Sequence, residues 1–197
     1  MKISKEKWDY LWTEWVKPIL IAAALALFVR TFMVQPFKIP SSSMYPTLKP
    51  GDRIFVNKFI YGAKIPFTNI RLPKLETPKD GDIIVFTSPV EKNKYLVKRF
   101  IADGGEAVSI KSGSIFVDEK KLSEAPFDDL FYYNRGEYGA EDGRVEIPEG
   151  KFYVLGDNSA NSMDSRYWGY VPDRNIVGKA FVIHWPPGRM HLIKEGE

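Results

Sequence analysis

The sequence predicts a mostly β protein behind one N-terminal apolar helix, and three observations carry that expectation. A single long uncharged run, Pro18 to Val29, stands near the start of the chain. After Asp52 the apolar residues fall in short stretches rich in Val, Ile, Phe and Tyr, separated by glycine-containing turn signals. No segment beyond the apolar run sustains the period of an amphipathic helix.

The apolar run comes first. With Arg30 tolerated near its edge, the stretch continues through Thr31 to Phe37, and an anchor over residues 16–36 reaches the roughly 20 residues that cross a bilayer. Arg30 would cost about 2.5 to 3.5 kcal/mol at the membrane centre, but near an end its stem reaches the headgroups. Trp8, Trp12 and Trp15 precede the run, where indole rings suit a membrane interface. A cleaved leader is the rival, because Lys2, Lys5, Lys7 and Lys17 precede a short core, yet Arg30-Thr31-Phe32-Met33 lacks a small-x-small cleavage pattern. A buried core helix is the third reading, and it leaves the tryptophan flank unexplained. Lys38, Lys49 and Arg53 oppose the lysines before the run, so charge tilts only slightly toward a cytoplasmic segment 1–15 with residues 37–197 outside.

Strands follow over Arg53 to Asn57, Asp82 to Thr87, Tyr95 to Ala102, Ala107 to Ile110, Ser114 to Val117, Phe152 to Leu155 and Ile176 to Trp185. Gly51-Asp52, Asp80-Gly81-Asp82, Asp103-Gly104-Gly105 and Glu149-Gly150 punctuate them. Residues 119–149 are acidic and weakly patterned around Phe131-Tyr132-Tyr133, which suits an inserted ribbon or small lobe as well as a solvated excursion. Tyr61, Phe67 and Trp185 are left between two roles, packing in the core and seating the body on headgroups.

Composition narrows the chemistry. A chain of 197 residues, 44% of them hydrophobic, has room for one anchor and one catalytic-sized domain. A net charge of +3 with both signs dispersed lacks the basic stripe that nucleic acid requires. The absence of cysteine removes disulfides, thiolate metal sites and a thiol nucleophile. His184 and His191, the two histidines, lie in the C-terminal tail, so no metal and no cofactor is expected.

Three polar segments remain. Pro40-Ser41-Ser42-Ser43-Met44-Tyr45-Pro46 offers hydroxyls just after the anchor, although serines after a proline equally suit an ordinary loop. In Lys94 to Ile101, alternation puts Leu96, Lys98 and Phe100 on one face and Val97, Arg99 and Ile101 on the other. Lys98 therefore shares a face with apolar side chains. Burial there could lower its pKa from about 10.4 by the roughly 2 to 3 units a base needs near neutrality; an edge lysine snorkelling to water is the alternative. The loop Gly156 to Gly169 is dense in hydrogen-bonding groups: Ser162 could orient the lysine amine and an Asp164–Arg166 pair could brace the loop, or its Asx-turns could simply close a surface connection.

Together these segments resemble the type I signal peptidase family, membrane-bound Ser/Lys endopeptidases that remove signal peptides from exported preproteins. Phe37 to Leu48 looks like the nucleophile box, Gly81 to Phe86 like a structural strand box, Val97-Lys98-Arg99 like the base box and Gly156 to Gly169 like the last box, in order and spacing. The resemblance implies a mostly β fold of the signal peptidase and LexA-like Ser-Lys protease kind, an antiparallel sheet domain with a small inserted β-ribbon lobe. It implies Ser43 as nucleophile, Lys98 as general base, and Ser41 joining the Ser43 N–H in an oxyanion hole. Ser162 would orient Lys98, with Asp164, Arg166, Asp157 and Asn158 in support. Phe37, Ile39, Met44, Leu48, Leu96 and Val97 would line shallow pockets for small residues before the scissile bond. The implied partners are preprotein signal peptides and the lipid bilayer, beside the export translocon, with no metal. Two positions depart from the family pattern. Ser159-Ala160 stands where many relatives carry Arg-Asp, which puts a peripheral salt bridge in doubt, and Leu96 stands where Tyr is common, which touches a pocket wall. Two other readings stay in play: a specialised Ser/Lys processing peptidase with one partner, and a noncatalytic tethered β-domain, which would not need both Ser43 and Lys98.

Overall fold

The structure, a computed structural model, describes residues 5–65, 68, 70–139 and 143–194. Lys2 and Phe67, both invoked above, lie outside the described residues.

The chain begins as one helical run: α1 (Lys5–Leu11), a π-helical segment (Trp12–Val16), α2 (Lys17–Phe28) and a second π-helical segment (Val29–Met33). Pro18 has no N–H to return to the preceding turn, and the wide π-helical segment just before α2 absorbs the missing bond. Lys7–Phe28 forms 22 residues of apolar helix, about 33 Å at the usual rise and long enough to cross a bilayer. None of it is buried against the body, which removes the core-helix reading.

Twelve strands follow among the described residues: β1 (Val34–Lys38), β2 (Arg53–Asn57), β3 (Ile83–Thr87), β4 (Tyr95–Ala102), β5 (Ala107–Lys111), β6 (Ser114–Val117), β7 (Lys120–Lys121), β8 (Val145–Glu146), β9 (Lys151–Leu155), β10 (Val171–Pro172), β11 (Ile176–Trp185) and β12 (His191–Leu192). The apolar run thus ends sooner than composition suggested, because Val34–Lys38 leaves the helix to pair with β2, Phe37 opposite Ile54. Pro36 fits there because β1 is an edge strand with no ladder bond to lose on its outer side.

The main sheet is antiparallel in the order β1-β2-β11-β3-β4-β9-β10, with β12 on β11. A second sheet, β7-β6-β5-β8, draws β7 and β8 from residues 119–149 but starts earlier, at Ala107. Three apolar clusters hold the body together. The first joins both sheets through Ile101, Val108, Ile110, Ile115, Tyr153 and Leu155. The second packs Ile39, Met44, Leu48, Ile54, Val56 and Ile183, with Phe37 and Val97 against it. The third packs Phe86, Phe100, Phe152 and Val154, with Leu96 against it. Strand β4 feeds all three because its side chains alternate between faces.

Candidate active site

The segment between β1 and β2 carries the serines, and its shape is held at several points. Ile39 N–H donates to the Asp52 carbonyl at 2.8 Å and Gly51 N–H to the Ile39 carbonyl at 2.9 Å, closing the segment at its base. Asp52 accepts from Lys49 N–H at 2.8 Å and from Arg189 Nη2 at 2.9 Å, while the same Nη2 donates to the Thr47 carbonyl at 3.0 Å. Met44 and Leu48 bury their side chains beneath the turn, so the serines are pushed to its rim. Of the three, Ser41 is exposed and the Ser42 hydroxyl accepts from Asn161 Nδ2 at 2.9 Å. Ser43 is the one that meets Lys98.

Lys98 lies in β4 opposite Ile84 of β3, only 4% exposed, and its Nζ donates to Ser43 Oγ at 2.6 Å. Desolvation pushes its pKa down to about 8, partly opposed by the carboxylates of Asp164 and Asp157 and assisted by Arg166. A lysine normally charged at every physiological pH is therefore neutral in an appreciable fraction of molecules near neutrality.

Two buried ion pairs brace this dyad. Arg99, the residue after Lys98, points to the opposite face and grips Asp157 through Nε–Oδ1 at 2.7 Å and Nη2–Oδ2 at 2.6 Å. Asp157 Oδ2 also accepts from the Thr47 hydroxyl at 2.6 Å, and Arg99 Nη1 donates to the Gly81 carbonyl at 2.6 Å. One guanidinium thus ties β4, the turn before β3, the Gly156 loop and the serine segment together. Asp164 caps the short helix α3 (Ser165–Trp168), accepting from Arg166 N–H at 3.3 Å. It also pairs with Arg166 through Nε and Nη2, both at 2.8 Å, and accepts from Gly156 N–H at 3.0 Å. Asn158 N–H donates to the Ser43 carbonyl at 3.0 Å and its Nδ2 to the Ser42 carbonyl at 3.1 Å. A Cβ at Gly156 would collide with Ser162 Oγ and stand 2.6 Å from the Ser43 carbonyl oxygen, so only glycine lets the loop lie this close to the serine.

Other expected residues fall differently. Ser162 Oγ is buried beside Gly156 and makes no hydrogen bond among the described residues, so it is not seen holding Lys98. Phe37, Ile39, Met44, Leu48 and Val97 share the second cluster and form one apolar wall, whereas Leu96, on the alternate face of β4, packs against the third. Tyr95, on the Val97 side, meets Phe37 edge to face with ring centroids 5.3 Å apart. Sequence reasoning passed over it, although two-residue alternation from Val97 points to it. Ser159 is buried rather than peripheral: its hydroxyl accepts from Arg166 Nη1 at 2.5 Å and from Tyr133 N–H at 2.8 Å, stitching residues 131–135 to the loop without the charge that many relatives carry there. His184 stacks on Phe55 with ring centroids 4.1 Å apart. Tyr61 is buried, its hydroxyl on Asp82, and Trp185 is exposed. No group of three His, Cys, Asp or Glu side chains suited to a metal ion occurs among the described residues.

Known proteins share this sequence pattern. The family described as "Signal peptidase, peptidase S26" matches residues 12–185. Signal peptidase I of Pseudomonas aeruginosa is 35% identical over 96% of this chain and 78% of its own length. Signal peptidase I of Bacillus amyloliquefaciens is 37% identical over 94% and 91%, and signal peptidase I T of Bacillus subtilis strain 168 is 35% identical over 98% and 95%. A solved signal peptidase I from Enterococcus faecalis V583 aligns with 53% of this chain and 97% of its own, at 30% identity and a TM-score of 0.43. The match of the family over all but the ends, with relatives similar along nearly the whole chain, makes this chain a member of the signal peptidase family, peptidase S26.

Proposed function

We propose that this protein is a serine endopeptidase that removes hydrophobic N-terminal signal peptides from preproteins at a membrane surface. The observation that carries the reading is the 2.6 Å contact between Ser43 Oγ and a Lys98 amine that burial holds near pKa 8. Neutral Lys98 Nζ takes the Ser43 proton as Oγ attacks the scissile carbonyl carbon, and negative charge moves onto the carbonyl oxygen. The Ser43 N–H and the exposed Ser41 hydroxyl stabilise that oxyanion. As the intermediate collapses the C–N bond breaks, and protonated Lys98 returns its proton to the leaving amine. Water, giving a proton to the same lysine, then attacks the acyl-enzyme carbonyl, and Ser43 Oγ leaves with that proton.

Phe37, Ile39, Met44, Leu48 and Val97 form the wall that receives small residues before the bond, and its shallow, filled cluster is what supports that preference. The Lys7–Phe28 helix crosses the bilayer once, with the N-terminus cytoplasmic and the sheet domain outside. Anchor and preprotein then share one membrane, which confines their encounter to two dimensions. The N-terminal segment, the anchor and an extracytoplasmic domain from β1 onward, with the second sheet as its lobe, are the parts this arrangement requires.

The test uses purified protein in liposomes with a preprotein carrying an Ala-x-Ala site, beside the Ser43→Ala variant. Cleavage after that site by the wild type and none by the variant is expected. A folded wild type that leaves the preprotein intact points to a tethered binding domain.

A further inference from the structure

The cleft beside the dyad is bounded by two strand edges. Strand β4 pairs with β9 only from Arg99 onward, where Arg99 faces Leu155, so among the described residues Tyr95 to Lys98 have ladder partners on the β3 side alone. Strand β1 pairs with β2 alone and has a second open edge. The two edges are joined at one end by Lys98 on Ser43 and at the other by the rings of Tyr95 and Phe37. An extended peptide laid along such an edge presents alternate side chains to one wall, about 7 Å apart. Val97 stands beside the base, and Tyr95 is two residues farther on the same face. A substrate residue level with Val97 precedes the scissile bond directly; the one level with Tyr95 lies two residues upstream of it.

Resting on the peptidase reading above, we propose that Tyr95 is a specificity-determining residue. Its ring, braced on Phe37, closes the far end of the cleft and limits the size of the side chain accepted at the third residue before the scissile bond. The ring is half-exposed, so its free face lines the cleft, while the edge-to-face contact fixes its direction. Alternation explains why the neighbouring Leu96 does not do this work: its side chain belongs to the other face of β4, in the cluster with Phe100.

The test measures kcat/KM for signal-peptide substrates that differ only at the third residue before the bond, carrying Ala, Leu or Phe, and for a second series varied only at the residue adjacent to the bond. The wild type should prefer Ala over Phe at the third position by about tenfold or more, the scale on which pocket size discriminates. Tyr95→Ala should reduce that ratio to about threefold or less and leave the ratio at the adjacent position unchanged, and Tyr95→Trp should penalise Leu further. An unmoved third-position ratio in Tyr95→Ala, a wild type that accepts Phe as readily as Ala, or an equal change in both series overturns the assignment. Failure of the wild type on the Ala substrate overturns the peptidase reading itself, and this inference with it.

Discussion

Varying pH tests Lys98 as the base, because the structure supplies the pKa that the rate should follow. With the amine held at about 8, the neutral fraction is about 1% at pH 6, about 9% at pH 7, about half at pH 8 and about 90% at pH 9. An unperturbed lysine would be about 0.04% neutral at pH 7, so burial raises the competent fraction there roughly two-hundredfold. The profile of kcat/KM, which reports the free enzyme, should therefore climb nearly tenfold per unit below pH 7, pass its midpoint near 8 and level off above about 9. Initial rates on a detergent-soluble peptide substrate, collected from about pH 6 to about pH 10, give the curve. Lys98→Arg serves as the control, because a guanidinium stays protonated throughout that range and should leave no activity at any pH. A midpoint above 10, or a Lys98→Arg variant retaining the wild-type profile, would refute the assignment of Lys98 as the base.

Three further perturbations read the surroundings of the dyad. The depressed pKa means that the unfolded chain binds more protons than the folded protein between about 8 and about 10.5, so stability rises with pH through that window and the full cost, roughly 3 kcal/mol, persists below it. Lys98→Met should remove activity yet stabilise the protein at neutral pH by about 1 to 3 kcal/mol in urea unfolding, a gain that shrinks as pH approaches 10.5; no gain contradicts the burial penalty. Asp157→Ala strands the buried Arg99 guanidinium and should cost about 3 to 5 kcal/mol, while joint Arg99→Met and Asp157→Leu replacement should recover most of it; equal losses would contradict the pairing. Gly156→Ala forces a Cβ against the Ser43 carbonyl, so kcat should fall at least about tenfold, and more than in Ser162→Ala.

Much of the fold was legible because burial on one or both sides leaves a two-residue or continuous apolar pattern. The β2, β4, β6 and β11 spans read from Val, Ile and Phe agree with those observed end to end, and β3, β5 and β9 differ by one residue at an end. The two-residue strands β7, β8, β10 and β12 are too short to show any period, and their pairing is settled by partners far away in sequence. Strand β1 was hidden because Val34 to Phe37 continues an apolar run and contains Pro36, which reads as a breaker until the strand is known to lie at an edge. In the candidate site, alternation already set Leu96 and Val97 on opposite faces, and grouping them in one pocket overrode it. The buried hydroxyl of Ser159 could not be foreseen, because its partners Arg166 and Tyr133 meet only once the second sheet is docked.

The most direct measurement on the dyad needs no substrate: reaction of the protein with a serine-directed acylating reagent, with the adduct mapped by mass spectrometry. The adduct should fall on Ser43 and not on Ser41 or Ser42, form at a rate that rises with pH about a midpoint near 8, and all but vanish in Lys98→Ala. Labelling of another serine, or of Ser43 at the same rate without Lys98, would contradict a nucleophile activated by that lysine.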